Sequence, residues 1–190
     1  AFGHAVALQA GDALTVAAFE TILKDRCQTP ELKIQLLEIL ANATGAAGMV
    51  GGQMMDMAYE TRSDVTLEEQ LAMCRAKTGA LISGACCLGC TAAGGTEEQQ
   101  RLAAQYGEKL GLAFQMVDDI LDVTSSTDVL GKPVGSDAEE GKTTFVTLLG
   151  LDGARREAAR LTAEAEQILQ QFPHHAFLTA LTQELLTREK

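Results

Sequence analysis

The chain has 190 residues, of which 46% are hydrophobic and only 4% aromatic, and it contains no Trp. This composition suits one domain with a sizeable core, and the dominance of Ala, Leu and Gly favours closely packed helices, so the predicted fold class is all-α. The net charge of −11 excludes nucleic-acid binding driven by bulk charge, because the field of the molecule repels polyanions. A small anionic ligand is compatible with this net charge where local lysines or bound metal ions make the electrostatic potential positive.

The cysteines and the apolar runs indicate a cytoplasmic protein without membrane insertion. Five cysteines are present, three of them crowded at Cys86, Cys87 and Cys90, which is not typical of a secreted disulfide framework. No second pair accompanies Cys87 and Cys90, so we interpret them as small packing residues. No apolar run reaches the length of about 18 to 20 residues that spans a bilayer, and the opening "AFGHAVALQAGDAL" lacks a basic segment before an apolar one.

Helix signals divide the first half of the chain. The stretch "FGHAVALQAGDALTVAAFETIL" predicts an opening helix. Thr29 and Pro30 supply the N-cap and first residue of a second helix, which continues into the small-residue run "TGAAGMVGGQMMDM" and should pack closely there. Thr66 and Glu69 form a predicted capping box before a long helix that ends at Gly94-Gly95.

Further signals order the second half. Thr96 and Gln99 repeat the capping pattern at the start of the next helix. The stretch from Thr124 to Lys142 has the composition of a long loop, a length often used for binding or lid functions. Two amphipathic helices, separated by Pro173, follow it.

The run "FQMVDDILDV" places three aspartates among apolar residues. Asp118 and Asp122 lie one helical turn apart, with Asp119 about 100° round the axis. No Lys or Arg stands three or four residues from any of them, and uncompensated burial of carboxylates costs several kcal/mol. The pattern therefore predicts a site for a hard divalent cation such as Mg²⁺. The alternative is a solvated helix end.

Three lysines are candidates for holding an anion near these carboxylates. Lys132 and Lys142 each stand beside a glycine in the loop, and Lys77 lies in "CRAKTGALISG". A lone helical lysine is more often a surface residue whose stem covers apolar neighbours. Together with the aspartates, the lysines indicate phosphate oxygens bridged by metal on one side and held by ammonium groups on the other.

Several motifs resemble one known family. "GLAFQMVDDILDV", followed by "LGKPVGSD" and "GKTTFVTLLG", resembles the second aspartate-rich motif and downstream lysine motifs of the polyprenyl synthetases, most of all bacterial farnesyl diphosphate synthases. "KTGALI", "GGQMMDM" and "FGHAVALQAGDAL" extend the resemblance over nearly the whole chain. It implies an isoprenoid-synthase helical bundle around a central cavity, where up to three Mg²⁺ ions hold an allylic diphosphate that condenses with isopentenyl diphosphate through an allylic cation.

The resemblance also implies roles for individual residues. Asp118 and Asp122 would face the metal ions, with Asp119 in support. Gln53 and Asp56 would line the cavity, although a role in helix packing is an equal alternative. The residues implied to contact the allylic diphosphate or its surroundings are Lys77, Thr78, Gln115, Lys132 and Lys142.

One departure limits what these residues are expected to do alone. The family's first aspartate-rich motif and its arginines precede the segment resembling "FGHAVALQAGDAL", and these residues do not contain them. We therefore expect residues 1–190 to be the C-terminal two thirds of a single prenyl synthase domain, without its N-terminal helices, homodimeric by family resemblance and with little activity alone. The alternatives are a non-catalytic subunit or fragment packing on a complete synthase, and a terpene cyclase of the same fold.

Overall fold

The computed structural model describes residues 3–124 and 142–188, and within these ranges the regular structure is entirely helical. The all-α prediction is confirmed. The helices are α1 (His4–Lys24), α2 (Pro30–Thr44), α3 (Met49–Tyr59), α4 (Leu67–Cys74), a π-helical turn (Arg75–Gly79), α5 (Ala80–Ala92), α6 (Glu97–Thr124), α7 (Phe145–Leu149), α8 (Leu151–Leu169) and α9 (Ala176–Thr187).

Helix α6 is the centre of the bundle, with α5 and α8 packed along it. Two glycines of α6 let α5 and the π-helical turn before it come close. A Cβ at Gly107 would stand 2.5 Å from the Cα of Ser83, and one at Gly111 would stand 2.8 Å from the Cα of Gly79. Real Cβ atoms do not approach so closely, so the small residues of α6 set the distance between the two helices.

The predicted caps are confirmed at three helix starts. Thr29 accepts a hydrogen bond from the N–H of Leu32 and begins α2. The Thr66 hydroxyl accepts the Glu69 N–H at 3.3 Å, while the Glu69 carboxylate accepts the Thr66 N–H at 2.8 Å. The Thr96–Gln99 pair makes the same reciprocal bonds, at 3.2 and 2.9 Å, before α6.

The small-residue run after α2 is not one helix, as predicted, but a break between two. Helix α2 ends at Thr44, and α3 begins only at Met49. A Cβ at Gly48 would lie 2.2 Å from the carbonyl oxygen of Ala43, so this turn requires glycine. The expected close packing is present one turn later, where a Cβ at Gly52 would lie 2.1 Å from the backbone nitrogen of Lys77.

The core consists of two clusters along α6. One surrounds Met116 and Phe145, both fully buried, beneath α7 and α8. The other surrounds Tyr106 and Leu169 between α6 and α8. The Tyr106 hydroxyl is 3.0 Å from the hydroxyl of Thr182, and this buried pair attaches α9 to α6.

Helix α1 has no buried residue, and its apolar side chains Val6, Leu8, Leu14, Val16 and Leu23 are all exposed. Two helical stretches, His4–Lys24 and Leu67–Ala92, are long and apolar enough to cross a membrane by length and composition. The prediction that no apolar run is long enough to span a bilayer is wrong by this criterion of length and composition. Length and composition alone do not define a membrane span, so we assign none from this test.

Candidate active site

One cleft gathers most of the residues predicted to bind an anionic ligand. It lies between α3, the π-helical turn, α6 and the start of α7, and its volume is about 140 Å³. Five of the predicted site residues line it, namely Asp56, Lys77, Gln115, Asp119 and Lys142. The full lining is Asp56, Tyr59, Glu60, Gln70, Met73, Cys74, Lys77, Gln115, Asp119, Lys142, Thr143 and Thr144.

Lys77 enters the cleft from the π-helical turn. Its ammonium Nζ lies 2.5 Å from Oδ2 of Asp56, and both side chains are partly buried. Gly52 makes this pair possible, because only a residue without a side chain lets α3 touch the backbone of the turn. π-Helical turns often occur at functional sites, since the extra residue redirects a side chain. Capping and hydrophobic periodicity gave no indication of this one.

A chain of hydrogen bonds connects the turn, α6 and α7. The Thr78 hydroxyl donates to Oε1 of Gln115 at 3.4 Å, and Nε2 of Gln115 donates to Oδ1 of Asp119 at 3.2 Å. Oδ2 of Asp119 accepts the backbone N–H of Phe145 at 2.7 Å. Asp119 is buried and uses both oxygens to hold its neighbours, so it anchors the start of α7 and orients Gln115.

Cys74 lies beside these hydrogen-bonded side chains, but its thiol is not a nucleophile. Its thiol is buried and near Asp119, and burial, with the added effect of that negative charge, raises the pKa of Cys74 to about 12. The thiolate is the reactive form of cysteine. At neutral pH Cys74 is therefore a neutral wall of the cleft.

Asp118 is held by a residue that sequence analysis missed. Nη2 of Arg188 donates to Oδ1 of Asp118 and, at 3.1 Å, to the carbonyl oxygen of Phe114. The guanidinium stands 3.7 Å from the centre of the Phe114 ring, which adds a cation–π contact. The only signal in the sequence was a basic residue at the end of the last amphipathic helix.

The three aspartates differ in exposure. The Asp118 side chain is 44% exposed, whereas Asp119 and Asp122 are buried. Asp119, expected in a supporting role, is the one that lines the cleft. Within residues 3–124 and 142–188, no three His, Cys, Asp or Glu side chains converge as a metal-binding group. Carboxylates one turn apart suit a Mg²⁺ ion that takes its remaining ligands from water and phosphate, and they do not suit a closed protein cage.

The other predicted residues are placed as follows. Lys142 lines the cleft just before Thr144, whose hydroxyl accepts the Thr147 N–H at 3.2 Å and caps α7. Gln53 is exposed on α3, one turn before Asp56. Lys132 lies outside the described residues.

The polyprenyl synthetase family model matches residues 1–180 of the chain. The farnesyl diphosphate synthase of Escherichia coli is 41% identical over 100% of this chain and 65% of its own length. Geranylgeranyl pyrophosphate synthase 9, a chloroplastic protein of Arabidopsis thaliana, is 43% identical over 88% of this chain and 48% of its own.

Solved structures show the same likeness. The geranylgeranyl pyrophosphate synthetase of Pyrococcus horikoshii superposes with a TM-score of 0.88 at 28% identity, over 98% of this chain and 68% of that one. The Helicobacter pylori geranyltransferase, solved with magnesium and isoprenyl diphosphate, gives 0.76 at 32% identity, over 93% and 57%.

The cleft is an all-helical site that carries carboxylates, two lysines and a glutamine, and these matches identify its family. The chain belongs to the polyprenyl synthetase family and has the isoprenyl synthase helical fold. It spans about half the length of the plant relatives that it matches.

Proposed function

We propose that these residues form the diphosphate-binding part of a short-chain prenyltransferase, which joins an allylic diphosphate to isopentenyl diphosphate. The observation that carries the proposal is the convergence of Lys77, Gln115, Asp119 and Lys142 on one cleft. Lys77 and Lys142 supply two ammonium groups for phosphate oxygens. Three carboxylates, Asp56, Glu60 and Asp119, also line the cleft, so an anion there would need a bound cation besides the lysines.

Each side chain has a distinct task in the proposed reaction. Lys77 and Lys142 stabilise the negative charge that builds on the departing diphosphate. Thr78 and Gln115 hold Asp119 and keep α7 against α6, so the geometry of the cleft is fixed before substrate binds. Asp118 and Asp122 would hold Mg²⁺, which supplies Lewis-acid stabilisation of phosphate oxygens when bound.

The product class is a finer part of the proposal. Relatives include both farnesyl and geranylgeranyl diphosphate synthases, and we favour the geranyl and farnesyl type because the motifs most resemble bacterial farnesyl diphosphate synthases. We further propose a cytoplasmic homodimer without membrane insertion. The exposed apolar side chains of α1 support a contact between copies.

A chimera tests the activity. The match to the Escherichia coli farnesyl diphosphate synthase covers the whole of this chain and 65% of that enzyme. In the chimera, this chain would replace that 65%. We expect Mg²⁺-dependent elongation of an allylic diphosphate only when isopentenyl diphosphate is present. A Lys77→Met chimera should fold and lose most of this activity. A folded parent chimera without activity would contradict the proposal.

Two controls separate the alternatives. Products formed by the chimera from the allylic diphosphate alone would instead support a terpene cyclase. The 190-residue polypeptide by itself is expected to show little elongation, since it carries one aspartate-rich motif. Robust elongation by that polypeptide would overturn this expectation.

A further inference from the structure

A second cavity lies at the other end of α6 and has a volume of about 670 Å³. It is open to solvent on one side and is lined by the second half of α5, the first turns of α6, and the connection between α8 and α9; we call it the distal cavity. Tyr106 lies in its wall, and Asp118 stands 12 residues further along α6, which corresponds to about 18 Å. The distal cavity shares no lining residue with the candidate active site.

The walls of the distal cavity are apolar and uncharged. Ala85, Gly89 and Cys90 form one side, and Phe172 and Leu178 form another. Among the described residues that line it, none is Asp, Glu, Lys or Arg, although 22% of the chain is charged. A diphosphate would find no cation there to balance its charge. The transfer of an uncharged apolar molecule from water to these walls is favourable, because it buries apolar surface.

Polar groups are confined to a few positions. Gln99, His174 and His175 supply the side-chain donors and acceptors at the cavity edge. Nδ1 of His175 is 3.1 Å from the Thr179 hydroxyl, which fixes the orientation of that ring. The Tyr106 hydroxyl is bonded to Thr182 within the core. Apolar walls with a few polar groups, in a volume within the range of about 300 to 1,000 Å³, are typical of small-molecule sites.

We propose that the distal cavity binds one neutral, mainly aliphatic molecule of the size of a prenyl alcohol, with its hydroxyl near the two histidines. The long apolar body matches the walls formed by α5, α6 and Phe172, and the single polar group matches the polar edge. The proposal does not depend on the chemistry of the active site, because the two sites share no residue.

Gly89 offers a variant that fills the cavity without disturbing the fold. It lines the cavity on α5, and a Cβ added there would meet nothing within 4 Å. Calorimetric titration with farnesol should show one saturable site in the parent. Gly89→Leu should weaken it at least about tenfold, equivalent to about 1.4 kcal/mol. Gly89→Ala, the matched control, should leave the affinity nearly unchanged.

Two comparison ligands, 1-dodecanol and farnesyl diphosphate, test which chemical class of molecule the distal cavity binds. Binding of 1-dodecanol at the same site would support the proposal, because the walls select an apolar body. The proposal would be overturned if farnesol binding did not saturate, or if farnesol bound Gly89→Leu as tightly as the unsubstituted protein. It would also be overturned if Gly89→Leu weakened the binding of farnesyl diphosphate as much as that of farnesol.

Cysteine alkylation gives a second readout at the site itself. Cys90 lines the distal cavity, whereas Cys27 is exposed between α1 and α2. Farnesol should slow alkylation of Cys90 in the parent and leave the rate at Cys27 unchanged. Equal slowing at both residues would overturn the proposal. Protection of Cys90 that grows with protein concentration, without ligand, would also overturn it, because a second copy of the chain would then fill the cavity.

Discussion

Arg188 places its guanidinium on the carboxylate of Asp118, although 70 residues separate the two in the chain. The side chain of Arg188 is only 15% exposed and also lies over the ring of Phe114. An aspartate that we propose as a metal ligand thus already has a cation of the same protein beside it. A metal ion at Asp118 and the guanidinium of Arg188 would compete for one carboxylate.

We therefore expect Arg188→Ala to increase Mg²⁺ affinity. The gain should be about 1 kcal/mol, or roughly fivefold in Kd, because Asp118 is partly exposed and solvent screens its charge. Titration calorimetry with Mg²⁺ and pyrophosphate measures the change. The control is Arg155→Ala, which removes an exposed arginine that pairs only loosely with Asp152 at 3.8 Å. Weaker Mg²⁺ binding in Arg188→Ala would show that Arg188 assists the metal site and does not compete with it.

The pair of Lys77 and Asp56 yields a second prediction. Lys77→Met should weaken pyrophosphate binding by about 10- to 100-fold, since a hydrogen bond to a charged group contributes about 1.5 to 3 kcal/mol. The matched control is Lys109→Met. Lys109 pairs with Glu164 at the same distance of 2.5 Å and with similar exposure, but it lies outside the cleft. Equal losses in the two variants would mean that Lys77 has no special role in anion binding.

Close packing at the π-helical turn gives a prediction about stability. Gly52→Ala should lower the free energy of unfolding by about 1 to 3 kcal/mol, because its Cβ would lie 2.1 Å from the Lys77 backbone nitrogen. Gly89→Ala should raise it by about 0.5 to 1 kcal/mol, since its Cβ meets no atom and alanine favours a helix. Urea unfolding of both variants checks the signs. Equal stability in Gly52→Ala and the parent would contradict the close approach.

Local signals predicted much of the fold, since capping depends on residues three apart. The reciprocal bonds of Thr66 with Glu69, and of Thr96 with Gln99, follow from spacing alone. The one-turn separation of Asp118 and Asp122 likewise needs only helix geometry. The resemblance to the family predicted, without any distance, that Lys77 and Gln115 belong to the same site.

Features set by tertiary contacts were beyond this reasoning. The Arg188–Asp118 pair depends on how α9 crosses α6, and helical periodicity carries no such information. The break at Gly45–Gly48 lies in a run that also suits a helix interior, and the backbone contacts of Gly48 decide between them. The anchoring of Phe145 by Asp119 joins residues 26 apart across a segment outside the described residues.

The raised pKa of Cys74 predicts a pH dependence. Its folded-state pKa of about 12 exceeds the ordinary value of 9.0, so the folded protein holds the thiol proton more tightly than the unfolded chain. The resulting stabilisation is complete below pH 9.0 and decreases as the pH rises towards about 12. Cys74→Ala should therefore lose less stability than the parent over this range. Parallel loss in both proteins would show that Cys74 does not contribute.

The exposed face of α1 predicts the state of association. Leu14 is 72% exposed on a helix without a buried residue, and exposed apolar patches commonly mark contact surfaces. Light scattering over a range of concentrations should show a dimer of the parent and a monomer of Leu14→Lys. Phe177→Lys, which charges an equally exposed apolar position on α9, should leave the dimer intact. A monomeric parent would contradict both the proposed homodimer and the assignment of α1 to its interface.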